Sequence, residues 1–176
     1  MTASEAAFLK AEAALRGWAG AGNAKDNYEN GISLSMSQYG LDAATYKNDN
    51  TSKPKAYVDP KNATNNVSGG GLSQATIKWD DAATFEQKLE KIITQKWIAM
   101  YPDGQEAWSE FRRTGYPKLF TVVINNSGGK IPTATFIRRI NFPASEYSTN
   151  ANGVQGAVTK LGGADNGGTR LWWDKP

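Results

Sequence analysis

The sequence has no cysteine and no histidine. Serine–histidine and cysteine–histidine catalysis, disulfides, iron–sulfur ligation and almost every zinc site need a thiolate or an imidazole, so all are excluded. A carboxylate site for calcium or magnesium stays open, but Asp, Asn and Gly never approach EF-hand spacing. The missing thiols leave the redox compartment undetermined. No stretch reaches the roughly 18 apolar residues that a membrane-crossing helix needs. The chain opens Met1-Thr2-Ala3-Ser4-Glu5 and runs into Ala6-Ala7-Phe8-Leu9, with no basic start and no apolar run of signal length. That opening reads either as a protein without an address or as an internal segment placed behind Met1. Charge of one sign is also scarce. Lys and Arg number 20 against 17 Asp and Glu, a net +3, well below the excess that phosphate binding ordinarily needs. Hydrophobic residues at 39% and charged residues at 21% of 176 describe one folded domain with room for a core.

What the sequence does have is helical periodicity. Thr2 and Glu5 stand at capping-box spacing, followed by Phe8, Ala11, Leu15 and Trp18 and then by Gly17, Gly20 and Gly22 as breakers. A second helix starts near Asn23 and Asp26, carries Tyr28, Ile32, Met36 and Tyr39 on one face, and stops at Gly40. The two form an antiparallel hairpin. From Leu41 to Lys78 the period vanishes into Asn, Asp, Thr, Ser and Lys, with Pro54, Pro60 and a Ser68-Gly69-Gly70-Gly71 run. This is a surface excursion, ordered in part or flexible, whose large apolar anchors are Tyr46, Tyr57, Val58 and, at its end, Leu72. The strongest helix places Phe85, Leu89, Ile92, Ile93, Lys96 and Met100 on one face, with Asp80 or Asp81 as its acidic N-terminal region. A shorter helix covers about Gln105 to Arg113. Short strands are suggested for Phe120–Ile124 and Phe136–Ile140 around the turn Asn125-Asn126-Ser127-Gly128-Gly129. Helices follow at about Pro143–Tyr147 and Asn152–Leu161.

The run beginning at Phe85, FEQKLEKIITQKWIAMYPDGQEAWSEFRRTGYPKLF, resembles the C-terminal region of SusD-like (RagB/SusD) proteins. So does IRRINFPASEYSTN from Ile137 to Asn150, a basic pair followed by an aromatic, Pro, Glu and Asn. FLKAEAALRGW, Phe8 to Trp18, is similar to the family's last tetratricopeptide-type helix, and the closing TRLWWDKP also fits. The resemblance implies a mainly α fold: a tetratricopeptide-type hairpin over residues 1–40, the excursion over 41–78, and an irregular helical C-terminal module with little or no β over 79–176. It also implies a non-catalytic glycan-binding lipoprotein on the outer membrane of Bacteroidetes. Such a protein passes oligosaccharide to a SusC-like TonB-dependent transporter, with no cofactor, no metal and no nucleic-acid partner. Family members are roughly three times this length and start with a lipoprotein signal and a lipidated cysteine, so the missing N-terminal part of the same protein is itself an expected partner. A tetratricopeptide pair buries its face only against neighbouring pairs, so an apolar patch on the Phe8 and Tyr28 helices is expected to lie uncovered.

Aromatic side chains are the candidates for sugar contact, because a pyranose has an apolar face that stacks on indole or phenol. Trp18, Trp97, Trp108 and Phe111 sit at helical core spacing and are expected to be buried. Tyr46 and Tyr57, in the polar excursion, and Trp173, one of an adjacent pair with Trp172, are the ligand-binding candidates. No binding residue transfers by motif, since much of the family's glycan surface lies upstream. The pairs Arg112-Arg113 and Arg138-Arg139 are expected to bridge loop carbonyls and carboxylates such as Glu110 or Glu146. Glu106 with Glu110, and Asp80 with Asp81, are the acidic pairs open to two-carboxylate glycoside chemistry. They are expected to be solvated or capping. Asn62-Ala63-Thr64 matches an N-glycosylation acceptor. A helical protein-interaction scaffold with no sugar contact of its own is the alternative from another class.

Overall fold

The structure is a computed structural model that describes residues 1–67 and 73–174. Ser68, Gly69, Gly70, Gly71, Leu72, Lys175 and Pro176 lie outside the described residues. Among those described there are seven α-helices: α1 (Ala3–Leu15), α2 (Ala24–Ser37), α3 (Ala44–Lys47), α4 (Phe85–Ala99), α5 (Gly104–Thr114), α6 (Ala144–Thr149) and α7 (Ala151–Leu161). A single 3-10 turn spans Ala63–Asn65. The chain forms two compact units, one of Met1–Lys55 with Leu72–Leu119 and one of Ala56–Gly71 with Phe120–Pro176.

The first unit is an apolar core wrapped by α1, α2 and α4. Its helices start where side chains satisfy orphan amides: Thr2 with Glu5 at α1 and Thr84 with Gln87 at α4 form reciprocal capping boxes, and Asp103 caps α5. Phe8, Ala11, Tyr28, Ile32, Leu89, Ile92 and Ile93 pack into one cluster. Full burial of each large aliphatic side chain there contributes about 2 kcal/mol. α1 and α2 approach closely because position 31 is glycine. A Cβ there would stand 2.8 Å from the Phe8 ring, so the aromatic edge lies on bare backbone.

On the Phe8 and Tyr28 helices, expected to carry an uncovered patch, these two side chains themselves are sheltered. Phe8 is 1% and Tyr28 0% exposed, because α4 packs on both helices and Trp79 closes on Tyr28 with ring centroids 5.2 Å apart. The end of the excursion is therefore tied to this unit. The Tyr28 hydroxyl donates to the Ile77 carbonyl, and the Lys91 ammonium donates to carbonyls of Thr76 and Lys78, which straps residues 76–79 onto α4. Two indoles expected in the core lie outside it: Trp18 is 67% and Trp97 39% exposed. α1 stops at Leu15 and the chain turns at Gly17, which carries Trp18 off the helical face. Tyr39 likewise falls beyond the end of α2 and is exposed. Phe111 is buried, as its spacing suggests, whereas Trp108 is only half-buried. Asp80 and Asp81 do not cap α4. Thr84 does, while Asp81 accepts from the Trp79 indole N–H at 3.0 Å.

A charge chain runs through this unit. The Lys96 ammonium, 1% exposed, donates to Glu110 at 2.9 Å and to Glu106 at 3.3 Å. The Arg113 guanidinium bridges Glu110 at 2.7 Å and Glu12 in a forked contact at 2.6 and 2.7 Å. Arg16 adds a second cation to Glu12 at 2.8 Å. Helices α4, α5 and α1 are thereby tied through one sequence of alternating charges.

The second unit has far less apolar interior. Val67 and Val154 are its buried hydrophobic residues among those described. The strands suggested at Phe120–Ile124 and Phe136–Ile140 do not form; the one ladder contact among the described residues is the isolated bridge of Tyr57 with Val67. The Asn125–Ser127 turn is present, with the Ser127 amide donating to the Asn125 side chain. Beyond it, Phe136 takes a left-handed φ of 57°, and the Arg138 amide donates to the Gly167 carbonyl at 2.7 Å instead of to a facing strand. One backbone donor of this segment, the Arg138 amide, is thus spent on the glycine-rich tail.

Two outcomes follow from the charge chain. Replacing Lys96 with Met leaves Glu106 without its cation and removes one of two from buried Glu110, so urea denaturation should show a loss of about 3 kcal/mol. Burial pushes the Glu12 carboxyl upward, but the hydrogen bonds and charges of Arg113 and Arg16 outweigh it and hold the group below its ordinary range. A depressed folded pKa stabilises fully above the unfolded value of about 4.3 and is lost as pH falls through the folded value. Acid titration of the melting temperature should therefore steepen below about pH 4, and Glu12→Gln should flatten that limb.

Candidate functional site

Tyr46, Tyr57 and Trp173 occupy different settings. Tyr46 lies in the first unit, half-buried against the core, and its hydroxyl donates to Gln95 at 3.2 Å. It borders a cavity of about 210 Å³ with Pro54, Ile77, Lys91, Thr94 and Ile98. The cavity's ammonium, on Lys91, is already engaged by carbonyls, and burial draws its pKa below the ordinary lysine value.

Tyr57 lies in the second unit, where a local loop positions it. The Val67 amide donates to the Tyr57 carbonyl at 3.0 Å. Inside that loop Asp59 accepts from the amides of Lys61 and Asn62 and from the Asn65 side chain. Those donors, the Lys61 amide foremost, hold the Asp59 carboxyl below its usual range. Asn62, of the glycosylation-type triplet, accepts from the Thr64 amide and opens the 3-10 turn. This frame holds the exposed Tyr57 ring beside Phe120, centroids 5.9 Å apart and planes at 46°. The pair lines an open groove of about 430 Å³ with Asn65, Val67, Val122 and Ile124. Two tilted rings, a held amide and an apolar floor form a surface able to stack on a sugar face while hydrogen-bonding its edge.

Trp173 is half-buried in the tail and is not among the residues lining that groove. Its neighbour Trp172 is 96% exposed. The next residue, Asp174, sets this alternation: its carboxylate is buried against Arg138 at 3.2 Å and Arg170 at 2.8 Å. Reading from sequence missed Phe120, assigned there to a strand, as a groove residue. Its partner Tyr57 lies far away along the chain, and no local period links them.

The other candidates resolve into scaffolding. Glu106 and Glu110 both accept from Lys96, so neither stands free as a general acid or base. The arginine pairs bridge carboxylates, but Glu110 is the only one of the two named partners that takes part. Glu146 instead accepts from Asn150; Arg139 pairs with Asp165 and Arg138 with Asp174. Arg112 stacks its guanidinium 3.6 Å from the centroid of the Trp108 ring. Asp165 also takes the Tyr147 hydroxyl at 2.6 Å and the Phe142 amide. Desolvation pushes its pKa up, but these donors and Arg139 together override it and hold the carboxyl below its usual range. Among the described residues no cluster of acidic side chains has the arrangement to hold a metal ion.

Comparison with known proteins gives a consistent set. The family described as "Susd and RagB outer membrane lipoprotein" matches residues 1–174. A chitin-binding SusD homologue from Flavobacterium johnsoniae is 57% identical, with a TM-score of 0.91 over 99% of this chain and 36% of its own. A SusD-like protein from Bacteroides thetaiotaomicron is 44% identical, with a TM-score of 0.92 over 100% of this chain and 37% of its own. A SusD homologue from Bacteroides uniformis gives the same identity, TM-score and coverage: 44%, 0.92, 100% and 37%. The chain thus spans a little over a third of the length of these relatives. Among curated proteins, none matches.

The forked role of the arginines is open to a direct check. Arg139→Lys keeps the charge on Asp165 but loses the planar guanidinium that also lies 4.7 Å from the Phe142 ring centroid. Thermal denaturation should show a lower melting temperature, by roughly 1–2 kcal/mol of stability; an unchanged melt would remove the arginine from the list of structural staples.

Proposed function

The chain belongs to the SusD-like family, and from that premise we propose that it takes part in non-catalytic capture of oligosaccharide at the bacterial outer membrane. In this reading it is one portion of a longer surface lipoprotein, anchored by lipid outside this segment, that hands glycan to a SusC-like TonB-dependent transporter. The observation that carries the sugar contact is the exposed Tyr57–Phe120 ring pair beside Asn65. An apolar, open groove with fixed rings suits a saccharide, whose binding needs stacking area more than charge. The 57%-identical relative described as chitin-binding makes β-linked N-acetylglucosamine oligomers the first ligands to try. Tyr46 and Trp173 remain secondary contacts in this proposal, since each is partly covered by its own unit. The commitment of Glu106 and Glu110 to Lys96 supports capture without hydrolysis.

Isothermal titration with N-acetylglucosamine oligomers, and with unacetylated glucose oligomers as contrast, tests the reading. Tyr57→Ala and Phe120→Ala should each weaken binding about fivefold, the effect of one lost stacking contact of about 1 kcal/mol. Glycan binding that ignores both substitutions moves the contact off this groove. If the chain and the longer protein both fail to bind any glycan, the scaffold alternative replaces capture.

A further inference from the structure

Helix α4 carries a hydroxyl that departs from the pattern of the other helices. Ser33, Ser109, Thr114, Thr149 and Thr159 each donate to the carbonyl four residues back, an ordinary outlet for a helical hydroxyl. The Thr94 hydroxyl is buried and finds no partner among the described residues. Thr94 lines the partly open cavity of about 210 Å³ that Tyr46 borders in the first unit. Polar neighbours there are already committed. The Tyr46 hydroxyl donates to Gln95, Lys53 donates to Gln74, and the Lys91 ammonium donates to the Thr76 carbonyl and hydroxyl and to the Lys78 carbonyl. Pro54, Ala75, Ile77 and Ile98 supply an apolar wall, and among the described residues no carboxylate lines the cavity.

A buried hydroxyl left unmet is costly, and an acceptor brought by a ligand removes that cost. The surroundings define the ligand group. A cation would meet no carboxylate, and an anion would meet an ammonium whose three protons are already taken. A bare sugar edge brings several hydroxyls to one free partner, which leaves most of them unmet. The volume also lies below the roughly 300 Å³ at which sites for whole drug-sized ligands begin, so a side group enters and the rest of the molecule stays outside. We propose that this cavity is a subsite for the acetamido group of an N-acetylated sugar. The amide carbonyl accepts from the Thr94 hydroxyl, and the methyl group packs on Ile77, Ile98 and Pro54. The subsite shares no lining residue with the Tyr57–Phe120 groove. It rests on the proposed reading that the chain captures oligosaccharide, and it adds Thr94 as the residue that selects N-acetylated units.

The test is saturation-transfer NMR on the full chain with N-acetylglucosamine, and with glucose as contrast. The acetyl methyl protons should receive the strongest saturation, and N-acetylglucosamine should bind more tightly than glucose. Thr94→Val keeps the side-chain shape and removes the hydroxyl. It should raise the dissociation constant of N-acetylglucosamine about fivefold, the effect of one lost neutral hydrogen bond, without lowering the melting temperature. Thr94→Ser should retain the affinity. Should Thr94→Val disturb the fold, Ile98→Asp, at the exposed mouth, carries the same measurement with the same expected loss. A methyl signal that is absent or indifferent to these changes, or equal affinity for the two sugars, overturns the acetamido subsite. The capture reading then still stands or falls on the Tyr57 and Phe120 titrations. If the chain and the longer protein bind no glycan of any kind, both readings are overturned.

Discussion

The buried Lys96 ammonium organises the first unit. Lys96 lies on the same face of α4 as Ile92 and Ile93, where an unpaired charge would be costly. That position is tolerable because α5 delivers Glu106 and Glu110, and Glu110 in turn needs Arg113, which reaches Glu12 on α1. Each link removes a desolvation cost created by the one before. The orientation of three helices follows, since apolar contacts alone tolerate sliding whereas a forked guanidinium tolerates little.

This explains which features were legible in the sequence. The mainly helical fold, the positions of α1, α2, α4 and α5 and the buried face of α4 from Leu89 to Met100, Lys96 included, follow from local periodicity and capping, and the structure has them, although Phe85 at the start of that face is 40% exposed. The family resemblance rested on motifs in α1, α4 and α5 and also on Ile137–Asn150 and the closing tail, and the family is shown. What local reading could not supply was partners. Glu146 was the carboxylate nearest the second arginine pair along the chain, but the acids actually engaged are Asp165 and Asp174, 26 and 36 residues away from their arginines. Arg113 and Glu12 are 101 residues apart. Charge pairing at such distances leaves no periodic trace.

The same limit applies to the candidate site. Tyr57 was distinguished as an aromatic in a polar stretch, and the structure gives it a fixed loop and an exposed ring. Phe120 had no such mark, because a run of β-branched residues around an aromatic reads as a strand. The uncovered patch was expected on the Phe8 and Tyr28 helices with no side of either named, for a related reason. Spacing identified a helix that needs covering, but α4, distant along the chain, covers the Phe8 side, and the vacancy lies around Leu9 and Trp18.

The two units also differ in what holds them. The second gathers its tail around Arg138, Arg139, Asp165 and Asp174, with Val67 and Val154 as its buried apolar residues among those described. Melting a body stapled this way newly wets little hydrocarbon, so its heat-capacity increment per residue should be small and its stability curve shallow, with weak cold sensitivity. The apolar first unit should show the pronounced curvature of an ordinary globular core. One chain would then carry two calorimetric signatures.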